Sequence, residues 1–310
     1  MEEKKFHNKS FSTKIMIGTV QFGMPYGIAN QKGQPSRNEV YEIIKHAHES
    51  GVDQYDTAAV YGESEARLGL AFKELNVSKN VSIFTKIAPL NEETRKSEKE
   101  SKKNIILSLE DSLKKLKMEC VSGVLFHREE DAVHLEVLQR QKELGKCKSI
   151  GVSCGHNPRE VKKWMDSENL DALQIPANLM DQRHFKDGTY AFDHHIKTTI
   201  FLRSIFLQGI LTMRNNQIPK ILKSLKPLHL RFSNLAEKAG LPLKELSLRA
   251  MISSGASHLI LGNDSLNHLK ENISIFNRGP LSNELMQALK QSFEELDPRW
   301  ITPTLWPSRS

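Results

Sequence analysis

Four ionisable side chains in the sequence have the types needed for proton transfer at a carbonyl oxygen. Asp56 and Tyr61 lie five residues apart in YDTAAVYGESE, Lys86 lies in SIFTKIAP, and His127 lies in GVLFHREE. A free tyrosine has a pKa of ~10, which is too high for an efficient acid at neutral pH. An adjacent ammonium lowers that pKa, and a carboxylate holds the ammonium in position. We therefore predict that Tyr61 is a general acid tuned by Lys86, which Asp56 anchors. His127 would orient and polarise the carbonyl.

This set of residues lacks a hydride donor. No side chain delivers a hydride, so a carbonyl reduction at these residues requires a cofactor that does. A different chemistry stays open, in which Lys86 is the Schiff-base nucleophile of a barrel aldolase or lyase. Taken singly, a lysine at a strand end is usually a surface residue and a histidine is usually a hydrogen-bonded structural residue. The chemical interpretation therefore depends on whether the fold brings all four together.

The elements that would position these residues repeat along the chain. Short apolar or β-branched runs are separated by segments with helical periodicity. The eight runs are KIMIGTV, GVDQYDT, VSIFTKI, SGVLFHR, CKSIGVS, LDALQIP, TTIFLRS and SHLILGN. Alternation of strand and helix predicts a parallel sheet, and eight units in 310 residues predict an α/β protein built as one (β/α)8 barrel.

Several helix starts are marked in the sequence. PSRNEVYEIIKHAHESG begins with Ser36 and Glu39 as a predicted capping box, and Asn157 is the predicted N-cap of NPREVKKWM. Ser64 is the predicted N-cap of the helix that follows YDTAAVYGE. These signals support the helical half of each unit.

The remaining features concern domain organisation. The connection between the seventh and eighth strands, about Phe206–Ser257, must hold an extra helix or loop, and a further helix is expected over Asn283–Leu296. No linker divides the chain, so we expect a single domain over residues 1–310. The glycines after the first strand do not have the GxGxxG spacing, which disfavours a Rossmann fold.

In a barrel of this kind the active face is formed by the carboxyl ends of the strands and the loops after them. Asp56 ends the second predicted strand and Tyr61 lies in the loop that follows it. Lys86 ends the third strand and His127 ends the fourth. The fold therefore predicts that all four residues meet at one mouth of the barrel.

Composition limits the other function classes. The net charge of +7 is spread along the chain, and the densest charged run, EETRKSEKESKK, mixes both signs, so no nucleic-acid partner is predicted. The sequence shows no run long enough for a membrane helix and no signal peptide. The three cysteines lack metal-site spacing and are expected to be reduced thiols, so we predict a cytoplasmic protein without a bound metal.

The ordered motifs resemble those of the aldo-keto reductase family. DTAAVYGESE is similar to the signature around that family's catalytic Asp and Tyr, and TKIAP and LFHRE stand where its Lys and His belong. IGVS, LQIPANLMDQR and LRSIFLQGIL are similar to later blocks. The resemblance implies a (β/α)8 barrel that reduces a small aldehyde or ketone with NAD(P)H. The implied cofactor is NADP(H) more than NAD(H), bound across the mouth without a Rossmann fold.

The resemblance also implies a set of cofactor contacts at successive strand ends. Gly18 and Thr19 would lie beneath the cofactor, Ser153 and Gln174 would bind the carboxamide, Ser204, Leu207 and Gly209 would meet the pyrophosphate, and Gly262, Asn263, Asp264, His268, Glu271 and Asn272 would surround the adenosine end.

Some positions depart from the family pattern. Cys154 stands where the family often has Asn, and Arg203 stands where many members stack an aromatic ring on the nicotinamide, although a guanidinium also stacks. Asp264 stands where several relatives have Arg, while His268 and Lys270 follow within about one helical turn. We therefore predict that NADPH works but is discriminated only weakly from NADH.

A third function, a redox-sensing regulatory subunit on the same scaffold, stays open, as do the substrate and the choice between monomer and homo-oligomer. His194 and His195 are interpreted as loop residues. The C-terminal stretch RWITPTLWP is a candidate tail near the mouth of the barrel.

Overall fold

A computed structural model describes residues 12–155, 157–167, 169–181, 183, 198–293 and 296–306. Its eight strands are parallel and close into a barrel in chain order, which confirms the predicted fold class. The strands are β1 Lys14–Gly18, β2 Gln54–Asp56, β3 Ser82–Ile87, β4 Gly123–Phe126, β5 Ile150–Ser153, β6 Ala172–Pro176, β7 Thr199–Arg203 and β8 His258–Gly262. Each falls within one of the eight predicted runs. His194 and His195 lie outside the described residues.

Helices follow the strands on the outside of the barrel. The longer ones are Arg37–Glu49, Ser64–Glu74, Glu98–Leu116, Leu135–Glu143, Pro158–Met165, Lys226–Lys238, Leu243–Ile252, Leu266–Asn277 and Asn283–Gln291. Short helices are Val20–Gly23, Glu92–Arg95 and Pro298–Ile301, and 3-10 turns are Glu129–His134, Leu207–Thr212, Asn215–Gln217, Lys220–Leu225 and Pro303–Leu305.

The predicted helix starts are correct in two cases and wrong in one. Ser36 and Glu39 form the capping box, and the Asn157 side chain accepts a hydrogen bond from the amide of Arg159. Ser64 is not an N-cap, because the helix begins at Ser64 itself and its hydroxyl is buried. That hydroxyl donates to the Thr19 carbonyl at 2.9 Å, so it links the helix to the end of β1.

The connection between β7 and β8 holds more than the predicted single helix or loop. It contains two helices, Lys226–Lys238 and Leu243–Ile252, and several 3-10 turns. The helix after β8 that was predicted to reach Leu296 ends at Gln291. Within the described part of the chain, no helix is long and apolar enough to cross a membrane.

Buried side chains fill the interior of the barrel. Met16, Leu125, Ala172, Phe201 and Ile260 form one buried cluster inside the ring of strands, and Phe84 packs against it. A larger cluster fills the layer between strands and helices. Because side chains fill the interior, a ligand has access only at the open end, where the strands terminate.

Candidate active site

A buried ion pair lies at the carboxyl ends of β2 and β3. The Lys86 ammonium donates to Asp56 Oδ1 at 2.7 Å and to the carbonyl of Thr57 at 2.9 Å. The Gln174 amide donates to the same Asp56 oxygen at 2.8 Å. Lys86 is 0% exposed, and burial alone would lower its pKa. Attraction to Asp56, and then to Tyr61, outweighs burial, so the pKa of Lys86 is raised and the side chain stays charged.

The strand register fixes the position of this pair. Asp56 is aligned with Gly18 on β1 and Phe84 on β3. The amide and the hydroxyl of Thr19 both donate to the Asp56 carbonyl, at 3.0 and 2.8 Å. Lys86 is aligned with Leu125 on β4. Neighbouring strands therefore hold both partners through their backbones.

Tyr61 lies beside the ion pair on the turn after β2. The Lys86 ammonium nitrogen is 5.0 Å from the centroid of the Tyr61 ring. Gly62 has a φ of +55°, and the Gly23 carbonyl accepts a hydrogen bond from the Glu63 amide. A Cβ at Gly62 would overlap that carbonyl oxygen. The turn that carries Tyr61 is therefore pressed against the short helix after β1.

His127 immediately follows β4 and faces Tyr61. The two rings are 5.8 Å apart, centroid to centroid, with an angle of 89° between their planes. Burial, and then the charges of Lys86, Arg203 and Arg128, lower the pKa of His127 to about 3. The imidazole is therefore neutral at physiological pH. Its Nδ1 is buried and has no hydrogen-bond partner among the described residues.

These residues lie at one end of a groove with a volume of about 1480 Å³. Asp56, Tyr61 and His127 line it, whereas Lys86 lies beneath its surface. Most of the residues implied as cofactor contacts also line the groove. They are Gly18, Thr19, Ser153, Gln174, Arg203, Ser204, Gly209, Gly262, Asp264, His268, Glu271 and Asn272.

Two of the implied contacts do not line the groove. Leu207 is 0% exposed and belongs to the hydrophobic core. Asn263 is also buried. Its side-chain amide donates to the carbonyl of Leu261, and its side-chain oxygen accepts from Asn272. Both lie behind the wall of the groove, and their contact with a cofactor stays a prediction.

The far end of the groove carries paired charges. Lys244 Nζ lies 2.6 Å from the Glu271 carboxylate and 5.7 Å from the centroid of the Phe206 ring. Asp264 forms an ion pair with His268, and this hydrogen bond is the main reason that the pKa of Asp264 is lowered. Each of the two basic side chains therefore already has an acidic partner.

Sequence reasoning missed several residues that line the groove. Gln21 and Tyr26 follow β1, and Gln208 follows β7. Lys244 lies in the first turn of the Leu243–Ile252 helix, in the connection between β7 and β8. The position of Gln21 directly after the Gly18-Thr19 strand end was an available signal. The sequence carries no local signal for Lys244, because its place depends on how the long connection folds back.

The walls of the groove fit a long polar ligand. Four of its side chains contain buried nitrogen or oxygen atoms without a partner among the described residues, namely Gln21 Oε1, His127 Nδ1, Arg203 Nε and Asn272 Oδ1. Buried polar atoms of this kind are costly unless a ligand or water satisfies them. A polar ligand in the groove could supply partners for these atoms. The described residues contain no cluster of three or more metal-ligating side chains.

The family of the chain follows from comparison with known proteins. The sequence model of the aldo/keto reductase family matches residues 14–294. The chain belongs to this family. Its members are oxidoreductases that use nicotinamide cofactors, usually NADPH, on carbonyl compounds.

Individual members of the family share only low sequence identity with this chain. The aldo-keto reductase YhdN of Bacillus subtilis is 27% identical over 207 residues, which cover 65% of this chain and 60% of that protein. An aldo-keto reductase of Bacillus halodurans has a TM-score of 0.72 at 19% identity, covering 90% of this chain and 92% of the other. A glycerol dehydrogenase of Gluconobacter oxydans has a TM-score of 0.71 at 21% identity, covering 92% and 94%. At these identities, the two structures establish the shared fold alone.

Proposed function

We propose that this protein reduces an aldehyde or a ketone to an alcohol with NAD(P)H, and that Tyr61 is the general acid. One observation carries the proposal. The buried pair of Lys86 and Asp56 meets Tyr61 and His127 at a groove of about 1480 Å³. The family supports the class of reaction, while the roles of these residues and the substrate are our inference.

Each residue has a defined task in this proposal. Tyr61 donates its hydroxyl proton to the carbonyl oxygen, and the Lys86 ammonium stabilises the negative charge left on the phenol. Asp56 keeps that ammonium charged and in place. His127, which is neutral, donates a hydrogen bond to the same carbonyl oxygen. A nicotinamide dinucleotide bound in the groove supplies the hydride.

The cofactor proposal is NADP(H) more than NAD(H), with weak discrimination. Lys244 and His268 lie at the far end of the groove, each paired with an acid, and Arg214 also lines the groove. A 2′-phosphate would gain the attraction of the Lys244 ammonium but would also face the carboxylates of Asp264 and Glu271. The opposing charges offset each other in part, which is the physical basis of weak discrimination.

The alternative chemistry, a Schiff base on Lys86, is disfavoured by the environment of its amine. A Schiff-base lysine must lose its proton and reach the substrate carbonyl. Lys86 is fully buried, donates to two oxygens and has a raised pKa. Trapping with borohydride in the presence of a carbonyl substrate should therefore leave Lys86 unmodified.

A substrate panel tests the proposed function. Purified protein is incubated with small aldehydes, ketones and sugar-derived carbonyls, and the absorbance of NADPH and of NADH is followed. We expect substrate-dependent loss of absorbance that is nearly abolished in Tyr61→Phe. Turnover of the best substrate by Tyr61→Phe at the wild-type rate would contradict the proposal.

A further inference from the structure

The side chain of Arg203 projects from the end of β7 across the mouth of the barrel. Its Nη2 donates to the Cys154 carbonyl at 2.9 Å, and its Nη1 donates to the Ser204 hydroxyl at 3.3 Å. Cys154 follows β5, and β6 lies between β5 and β7. The guanidinium therefore spans the end of β6, where Pro176 is aligned with Arg203.

The charge of Arg203 acts on the proposed catalytic groups. It lowers the pKa of His127 and opposes the protonation of Lys86. Arg203 forms no ion pair with another residue in the described ranges, and its buried Nε has no partner there. Burial raises the pKa of Glu129 and of Tyr26, and the charge of Arg203 acts against that rise in both. Arg203 therefore places a positive charge in the wall of the groove without a paired carboxylate among the described residues.

The reacting ring of the cofactor must share this part of the groove. A hydride donor has to lie within about 3–3.5 Å of the carbonyl carbon, whose oxygen is held between Tyr61 and His127. The groove is walled there by Ser153, Gln174 and Arg203. Any nicotinamide that reaches the reaction centre is therefore close to the guanidinium.

The two redox forms of a nicotinamide differ by one charge at the ring. Reduction of the carbonyl moves a hydride, with its electron pair, from the reduced ring to the carbonyl carbon, while the tyrosine proton goes to the oxygen. The neutral reduced ring thereby becomes a cation. An uncompensated cation in a partly buried wall repels the oxidised form and leaves the reduced form unaffected.

We propose that Arg203 makes this groove bind the reduced nicotinamide more tightly than the oxidised one. The inference rests on the proposed function, since it assumes that a nicotinamide binds here. Arg203 would then set the redox poise of the bound cofactor. Tighter binding of the reduced form raises the midpoint potential of the bound couple, by about 30 mV for each tenfold ratio of affinities.

The test compares ratios of dissociation constants and does not use turnover. Tryptophan fluorescence or calorimetry gives Kd for NADPH, NADP⁺, NADH and NAD⁺ at one ionic strength. The ratio of oxidised to reduced Kd isolates the charge of the ring, because the phosphates and the adenosine are the same in both forms. The variants are Arg203→Gln and Arg203→Met, which remove the charge, and Arg203→Lys, which keeps it. Arg140→Gln, at an exposed arginine on the outer Leu135–Glu143 helix, is the matched control.

We expect the ratio of the oxidised to the reduced Kd to be about ten or more in the wild type. A tenfold ratio corresponds to a difference of about 1.4 kcal/mol in binding free energy. The ratio should fall several-fold toward one in Arg203→Gln and Arg203→Met, by the same factor for both nucleotide pairs. It should stay at the wild-type value in Arg203→Lys and Arg140→Gln. Unchanged ratios in the charge-removing variants would overturn the inference. Failure of the folded wild type to bind any of the four nucleotides would instead overturn the proposed function.

Discussion

At the scale of single residues, the phenol of Tyr61 is the group on which the proposed chemistry depends most directly. Replacing it with phenylalanine removes the proton but little binding surface. We expect Tyr61→Phe to lower kcat by ~10²–10⁴-fold, with cofactor Kd changed less than about threefold. Steady-state kinetics and fluorescence titration measure the two quantities. A variant that keeps most of its turnover would refute the assignment.

Lys86 offers a second test, because its charge can be removed while its volume is kept. In Lys86→Met the Asp56 carboxylate still accepts a hydrogen bond from Gln174, so the fold has a remaining partner for the buried acid. We expect a loss of turnover similar to that of Tyr61→Phe, with a retained far-UV circular dichroism spectrum. Asp56→Ala is the contrasting variant. It leaves Lys86 buried without its ion-pair partner and should cost about 3–5 kcal/mol of stability, measured by urea unfolding.

The lowered pKa of His127 predicts a pH dependence of stability. The folded value is about 3 and the ordinary value is 6.5, so the unfolded chain binds a proton that the folded chain excludes. This contribution to stability is complete above pH 6.5 and is lost as the pH falls toward 3. His258 and His229 have pKa values shifted in the same direction, so they add to the effect.

The midpoints of urea unfolding at pH 7.5 and pH 4.5 measure this loss of stability. The wild type should lose more stability between the two values than His127→Gln does. His46→Gln, on the outer Arg37–Glu49 helix, is the control and should follow the wild type. Equal losses in the wild type and His127→Gln would show that the imidazole is not held neutral by the fold.

For single residues, the sequence predicts which side chains can do chemistry better than it predicts which side chains face the groove. Tyr61 and His127 could be placed because strand ends of a parallel barrel meet at one mouth. Leu207 and Asn263 could not, because whether a residue faces the groove depends on local backbone geometry, and Leu207 has a φ of +46°. Lys244 was missed because a distant helix carries it into the groove.

At the scale of elements, the turn that carries Tyr61 depends on a close backbone contact. Gly62 and Gly145 both have positive φ, so alanine at either position costs about 1–2 kcal/mol of conformational strain. Only Gly62 also faces a neighbouring carbonyl, that of Gly23, while nothing lies within 4 Å of a Cβ at Gly145. We expect Gly62→Ala to lose more stability than Gly145→Ala and to be the only one of the two that lowers turnover. Urea unfolding and kinetics of both variants provide the check.

Elements were largely predictable because local patterns determine them. Most of the eight strands are short runs of apolar or β-branched residues, and the Ser36 capping box is a purely local signal. The error at Ser64 has a tertiary cause. Its hydroxyl forms a hydrogen bond with Thr19, a residue 45 positions away, instead of capping its own helix. No local pattern distinguishes these two uses of a serine at a helix start.

At the scale of the whole molecule, the charges at the far end of the groove predict the choice of cofactor. We expect NADPH to bind more tightly than NADH, but by less than about a thousandfold, or ~4 kcal/mol. Asp264→Asn should increase the preference for NADPH, because it removes a carboxylate beside the expected phosphate. Lys244→Gln should decrease it, and Lys290→Gln, on the outer Asn283–Gln291 helix, should not change it. Dissociation constants of NADPH and NADH for the wild type and the three variants, measured at one ionic strength, give these preferences. A preference above a thousandfold in the wild type would contradict the expectation.

The order of residues along the chain has a consequence for engineering. Every side chain proposed for the chemistry lies on β2, β3, β4 or the loops after them, and most of the groove beyond them is built by the chain after residue 150. Reactivity and nucleotide choice are therefore encoded largely in different halves of one continuous barrel. A chimaera that takes its second half from another family member should inherit the donor's nucleotide preference and keep its own proton chemistry, and residues 144–149, between the Leu135–Glu143 helix and β5, are a suitable junction.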